Sequence, residues 1–235
     1  MVTLRWVRRA SGYRERMSVL SSAGSASATA GGVVLQGLVR GLAAVRPAHK
    51  PMHPKGQVRH GRLFRRGATP PTGVPFLDEA GTVDVVVRES RAVGLPRPLP
   101  DVQGLAVRIP DPDGGHGDLL FSTTGLGRLT RYVLTLSRTT YGRPMTTLLP
   151  YDTVAGPVVL AARASGESRL ELAYAVGDGD WQHFADLLLS TRKDDDPDLT
   201  FDAVLNTVPG LEQYAAVRKL REPSYRTARA SRGES

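Results

Sequence analysis

Between Leu170 and Val176 the side chains alternate, with Leu170, Leu172, Tyr174 and Val176 on one face and Glu171 on the other. This period of two marks a strand with one buried face. Val83 to Val87, Leu105 to Ile109, Leu119 to Phe121, Tyr132 to Leu136 and Val158 to Ala162 are further apolar runs with strand character. Turn chemistry separates several of them, at Asp111-Pro112-Asp113-Gly114-Gly115, Ala155-Gly156-Pro157 and Gly177-Asp178-Gly179. Strands of this length joined by such turns predict an antiparallel barrel or a strongly coiled sheet. Helical spacing shows at two places. Leu35, Leu38, Leu42 and Val45 form a stripe that ends before Pro47, and Phe184, Leu187 and Leu188 predict a helix capped by Asp180 that ends near Thr191. Residues 201 to 225 read as an extended or partly helical tail. The expected fold class is therefore α+β: an antiparallel β-barrel with an N-terminal arm and helix and with C-terminal helices.

Three segments follow. Residues 1–32 are first Arg-rich and then Ser/Ala/Gly-rich, a composition that cannot form a packed core. Residues 33–192 hold the barrel, and 193–235 hold a linker and tail that begins with the acidic run Asp194-Asp195-Asp196-Pro197-Asp198. The net charge of +8 is unevenly spread. Residues 1–66 carry 13 Lys or Arg against Glu15 alone, residues 67–217 carry 12 bases and 20 acids, and residues 218–235 carry 6 bases and 2 acids. A basic arm suggests nucleic acid or an anionic surface, but no helix-turn-helix, zinc finger or aromatic-plus-basic RNA platform accompanies it, so nucleic acid is not an expected partner. The absence of cysteine excludes disulfides, thiolate zinc sites, iron–sulfur clusters and thiolate haem ligation. No apolar run approaches a membrane span, and a cytoplasmic protein is the expectation.

The chemistry-bearing residues fall in order along the first half of the barrel. They are Pro51-Met52-His53-Pro54-Lys55-Gly56, then Val87-Arg88-Glu89-Ser90, Gln103-Gly104-Leu105-Ala106-Val107-Arg108-Ile109 and Gly117-Asp118-Leu119-Leu120. In this order and at these separations they resemble the distal half of a haem catalase barrel, over roughly Gln36 to Thr124. The resemblance implies haem b as cofactor and peroxide, with a small-molecule reductant, as substrate. His53 would be the distal acid–base histidine and Ser90 the hydroxyl that orients it. Arg88 and Lys50 would pair with haem propionates. Ser122, in Phe121-Ser122-Thr123-Thr124-Gly125, stands where the family has its peroxide-binding asparagine. The family's proximal Arg-Leu-Phe-Ser-Tyr-Pro-Asp-Thr segment is not present as such; its arginine-to-tyrosine spacing is matched by Arg221 and Tyr225, which makes Tyr225 the candidate iron ligand and Arg221 its stabilising partner.

A neutral imidazole suits peroxide cleavage because it can take a proton from one oxygen and return it to the other. Other constellations are weaker. His49, His53 and His60 are spaced for one helical face, but Pro51, Pro54 and Gly56 interrupt a helix there. Ser90, His53 and Asp84 match a hydrolase triad by type only, without a Gly-x-Ser-x-Gly elbow. Two readings stand: a haem-dependent peroxidase or catalase-like oxidoreductase, as a homo-oligomer if the arm interlocks subunits, or a haem-free barrel of the same fold that binds a small apolar ligand or serves as an interaction scaffold.

Overall fold

The computed structural model describes residues 56–96, 98–111, 113–195 and 199–218. Strand β2 (Gly81–Arg91) shows how sequence alternation becomes architecture: Val85, Val87 and Glu89 are buried while Asp84 is exposed and Arg88 half-buried. The same parity runs through β1 (Gly56–Arg65), β3 (Gln103–Pro110) and β4 (His116–Thr123), which pair antiparallel in the order β1-β2-β3-β4. The chain continues through β5 (Met145–Thr146), β6 (Tyr151–Thr153), β7 (Gly156–Ala164), β8 (Arg169–Val176) and β9 (Gln182–Leu189). Because β9 pairs with β1 and β7 pairs with both β5 and β8, the path β1-β2-β3-β4-β5-β7-β8-β9 returns to its start. The result is a closed, eight-stranded antiparallel barrel. Short strands β10 (Asp194–Asp195) and β11 (Glu212–Gln213) add to β1 and β6.

The inside of the barrel is filled. Leu63, Leu105, Leu119, Leu160, Leu172 and Leu187 are buried there with Tyr174 and Phe184. The rings of Tyr174 and Phe184 meet edge to face at 6.2 Å, and Phe76 packs on Phe184 at 5.8 Å. Phe76 and Leu77 come from α1 (Pro75–Asp78), a single turn that plugs one end of the barrel. An eight-stranded barrel has an interior just wide enough for side chains to fill. Loss of the Phe184 ring would leave a cavity among these neighbours.

The α+β expectation is wrong in its helical part. Residues 182–189 form strand β9, not a helix starting at Asp180 and ending near Thr191. Leu187 and Leu189 face the core, whereas Leu188, which the helical stripe would bury, is exposed. The apolar run fits both periodicities, and pairing on both sides, to β1 and to β8, decides in favour of a strand. Tyr132 to Leu136 is likewise no strand: a 3₁₀ turn (Thr130–Tyr132) and the isolated bridge Thr124–Leu134 occupy this stretch. Conversely, β1 was not expected to be a strand, because Arg59, Arg62 and Arg65 mask its alternation. The predicted helix at Leu35 to Val45 lies outside the described residues.

Residues 199–217 are held against the barrel wall instead of trailing from it. Asp118 on β4 accepts two hydrogen bonds from Arg108 (both 2.9 Å), one from the Asp202 backbone N–H (2.9 Å) and one from Asn206 Nδ2 (3.1 Å). Arg108 also donates to the Thr200 carbonyl and lies 4.7 Å over the Phe201 ring. Gly117 permits the close approach, since a Cβ there would stand 2.9 Å from Val208 Cα. Asp118→Ala would leave Arg108 without its carboxylate and free the Asp202 turn. The expected cost is about 3–5 kcal/mol in urea unfolding, with the 199–217 backbone amides losing hydrogen-exchange protection before the barrel strands do.

Candidate functional site

The register places three of the sequence-predicted site residues on one outer face. Ser90 on β2 is paired with Gly56 on β1 and Gly104 on β3, and Gly104 with Ser122 on β4. Ser90 and Ser122 thus stand two strand spacings apart, about 10 Å, with a glycine between them. Arg88 lies two residues back along β2, on the same face, and its guanidinium rests against Gly56: a Cβ on that glycine would lie 2.8 Å from it. On this face β3 presents Gly104 between the two serines and Ala106 between Arg88 and Leu120, so no β3 side chain larger than a methyl group stands there before Arg108. Gly104 and Ala106 are buried, and Arg88, Ser90 and Ser122 are half-buried, so this part of the wall is screened from bulk solvent. His53, Lys50, Arg221 and Tyr225 lie outside the described residues. Asp84 is exposed on the outer face and bonded to Arg62 at 2.8 Å.

A second polar group closes the barrel mouth opposite the Phe76 plug. Arg59 on β1 and Glu89 on β2 both point inward and form a buried ion pair at 3.0 Å. Arg59 also donates to the Ser190 carbonyl (2.7 Å) and to Ser168 Oγ (3.2 Å). Glu89 accepts from the Tyr141 hydroxyl at 2.5 Å and from Lys193 Nζ at 3.3 Å. Burial pushes the Tyr141 phenol above the usual tyrosine range, the adjacent Glu89 carboxylate adds to this, and Arg59 opposes it. Tyr141 is therefore a fixed donor at neutral pH. Over this network lies an open cleft of about 630 Å³, lined by Arg138, Thr139, Tyr141, Glu167 and Lys193 among others.

No protein-family model matches the chain, and no curated protein is similar to it. The site therefore rests on its own geometry. Among the described residues no group of three or more His, Asp or Glu side chains is placed to hold a metal ion, and no helix is long and apolar enough to cross a membrane.

Sequence reading found Arg88, Ser90 and Ser122 but missed Arg59, Glu89, Tyr141 and Lys193. Glu89 had a readable signal, since it continues the inward parity of Val85 and Val87. Tyr141 and Lys193 had none, being brought to Glu89 from 52 and 104 residues away.

Glu89→Ala should destabilise the fold by about 3–5 kcal/mol, because it leaves Arg59 buried without a counter-charge. Tyr141→Phe should cost about 1.5–3 kcal/mol, as for a bond to a charged acceptor. The folded-state pKa of Tyr141 is raised, so its contribution is fully present below the unfolded value of about 10 and is lost as pH rises through the folded value. Equilibrium unfolding across alkaline pH should show stability falling above pH ~10, with a shallower fall in Tyr141→Phe.

Proposed function

We propose that this chain is a catalase-like haem-binding protein of the cytoplasm that carries out peroxide-linked oxidation of a small molecule. The observation that carries the reading is the outer-face row Gly56–Ser90–Gly104–Ser122 with Arg88 beside it. Gly104 and Ala106 put no side chain larger than a methyl group on the screened side of this wall, where a planar, largely apolar ring would lie with Arg88 as the cation at its edge for a carboxylate. Because the barrel interior is packed with side chains, a ligand of that size belongs on the wall and not within. His53 precedes Gly56 by three residues, so chain length alone keeps the two Cα atoms within about 11 Å, and Gly56 is the direct partner of Ser90.

Arg88 and Lys50 would hold the propionates, and Tyr225, with Arg221, would ligate the iron. Haem would supply a redox-active Lewis acid at which the peroxide oxygen–oxygen bond is broken. The chain's own part is proton handling. His53 would serve as the base that accepts a peroxide proton and the acid that returns it, Ser90 would fix the tautomer and tilt of that imidazole, and Ser122 would offer a hydrogen bond to peroxide.

Titration of the purified chain with hemin should give a one-to-one Soret band. Arg88→Ala should weaken hemin binding by about tenfold, as expected for loss of one charge-assisted contact. Ser90→Ala should keep the band but slow peroxide consumption by at least about tenfold, and Tyr225→Phe should shift the band. A spectrum showing only Trp and Tyr absorbance in the wild-type chain would sink the haem reading.

A further inference from the structure

We propose that two segments at the polar mouth, residues 92–102 between β2 and β3 and residues 133–143 of the β4–β5 connection, dock this protein onto an anionic lipid bilayer. Nine large apolar side chains are exposed among the described residues, and five of them sit in these segments: Val93, Leu95, Leu99, Val133 and Leu136. Leu129 lies on residues 126–131, which are bonded to the β8–β9 turn at the other end of the barrel. Single exposed apolar residues are ordinary, but concentration in two segments is not.

The loops are joined and held rigid. Asp101 and Ser137 exchange both backbone hydrogen bonds, at 3.0 and 2.9 Å, and Gln103 Nε2 donates to the Ser137 carbonyl at 2.8 Å. The fully buried Asp101 carboxylate accepts the N–H groups of Val93, Gly94 and Leu95 at 3.1, 2.8 and 3.1 Å. Leu99 lies two residues before Asp101, and Leu136 directly precedes Ser137. Asp101 thereby folds its own loop through its carboxylate and joins it to the second loop through its backbone, with Leu99 51% and Leu136 57% exposed.

The charge pattern names the partner. From residue 119 to 151 there is no Asp or Glu, while Arg128, Arg131, Arg138 and Arg143 are present. Arg131 is buried over the Trp181 ring at 4.5 Å, and the other three are exposed. Residues 92–102 carry one acid, Asp101, and it is buried. Glu167, on the β7–β8 turn, and Asp194, on β10 beside the start of β1, face the same mouth, where Arg192 is bonded to Asp194 at 2.9 Å. Asp178 and Asp180 lie near Arg131 at the other end. Residues 67–217 carry eight more acids than bases, so an anionic surface repels most of this body and attracts it where these loops project. Isolated apolar tips interleaved with arginine fit a fluid headgroup boundary, which needs no matching groove. A protein partner would favour a contiguous apolar patch.

The test uses the full chain and flotation with phosphatidylcholine vesicles, with and without phosphatidylglycerol. Wild type should partition onto the phosphatidylglycerol vesicles and be released by salt. The pair Leu99→Glu with Leu136→Glu, and separately Arg138→Gln with Arg143→Gln, should each weaken partitioning by at least about tenfold, while Val154→Glu and Leu205→Glu, exposed elsewhere, should leave it unchanged. Circular dichroism and melting confirm that each variant is folded; the Arg pair, being exposed and polar, keeps the test available if the Leu pair is not. Failure of wild type to float, or flotation unaffected by both loop pairs and so carried by the basic termini, overturns the proposal. So does a solution dimer that the Leu pair converts to monomer, which would make a second copy of the chain the occupant of these loops.

Discussion

The pairing of β1 with β2 along one edge and with β9 along the other turns a sheet into a ring, and the remaining structure depends on that closure. In a closed antiparallel barrel the inside and outside sets alternate along each strand, and a one-residue slip would exchange them. Leu63 and Arg59 point inward because they share a parity on β1, and Val85, Val87 and Glu89 do so on β2. Arg88 and Ser90 point outward for the same reason. Closure therefore sets the core, the buried ion pair and the outer-face row of Ser90 and Ser122 at once.

The two ends of the ring are sealed by different physics. At one, Phe76 and Leu77 from a single helical turn close over Phe184, and burial of apolar surface suffices. At the other, the inward positions are filled by Arg59 and Glu89, which need every partner they have: Tyr141, Lys193, Ser168 and the Ser190 carbonyl. These partners come from segments that follow β4, β7 and β9, so the polar seal also draws the mouth loops together. The outer wall is organised by a similar device. Asp118 gathers Arg108, Asp202 and Asn206 and so fixes residues 199–208 to β4. With the interior packed, chemistry is left to the wall and the mouth, where the serine row and the apolar loop tips lie.

Much of the barrel was legible because one-sided burial writes itself into period-two alternation. Val83 to Val87, Leu105 to Ile109, Leu119 to Phe121, Val158 to Ala162 and Leu170 to Val176 all fall within strands. Where alternation was blurred, the reading failed. Phe184, Leu187 and Leu188 satisfied a helical stripe because β9 carries an irregularity opposite Leu172 and Ala173 that puts Phe184 and Ala185 both in the core. Strand β1 was hidden by its arginines, one of which is neutralised within the barrel and not at its surface. Of the candidate site, residue types and spacing along the chain pointed to Arg88, Ser90 and Ser122. That they share a face was not readable, because it depends on registers between β2, β3 and β4.

By itself, then, the sequence determined the strand-rich body, its turns, the acidic barrel between basic ends and the candidate residues of one wall, since local periodicity, backbone propensity and charge are properties of neighbouring residues. Only the tertiary structure decided that 182–189 is a strand, that Arg59 and Glu89 are buried partners, and that Asp101 binds two loops into one apolar and basic edge. Each of these follows from hydrogen bonds and ion pairs between residues distant in the chain, and no local pattern encodes which distant partner will satisfy a buried polar group.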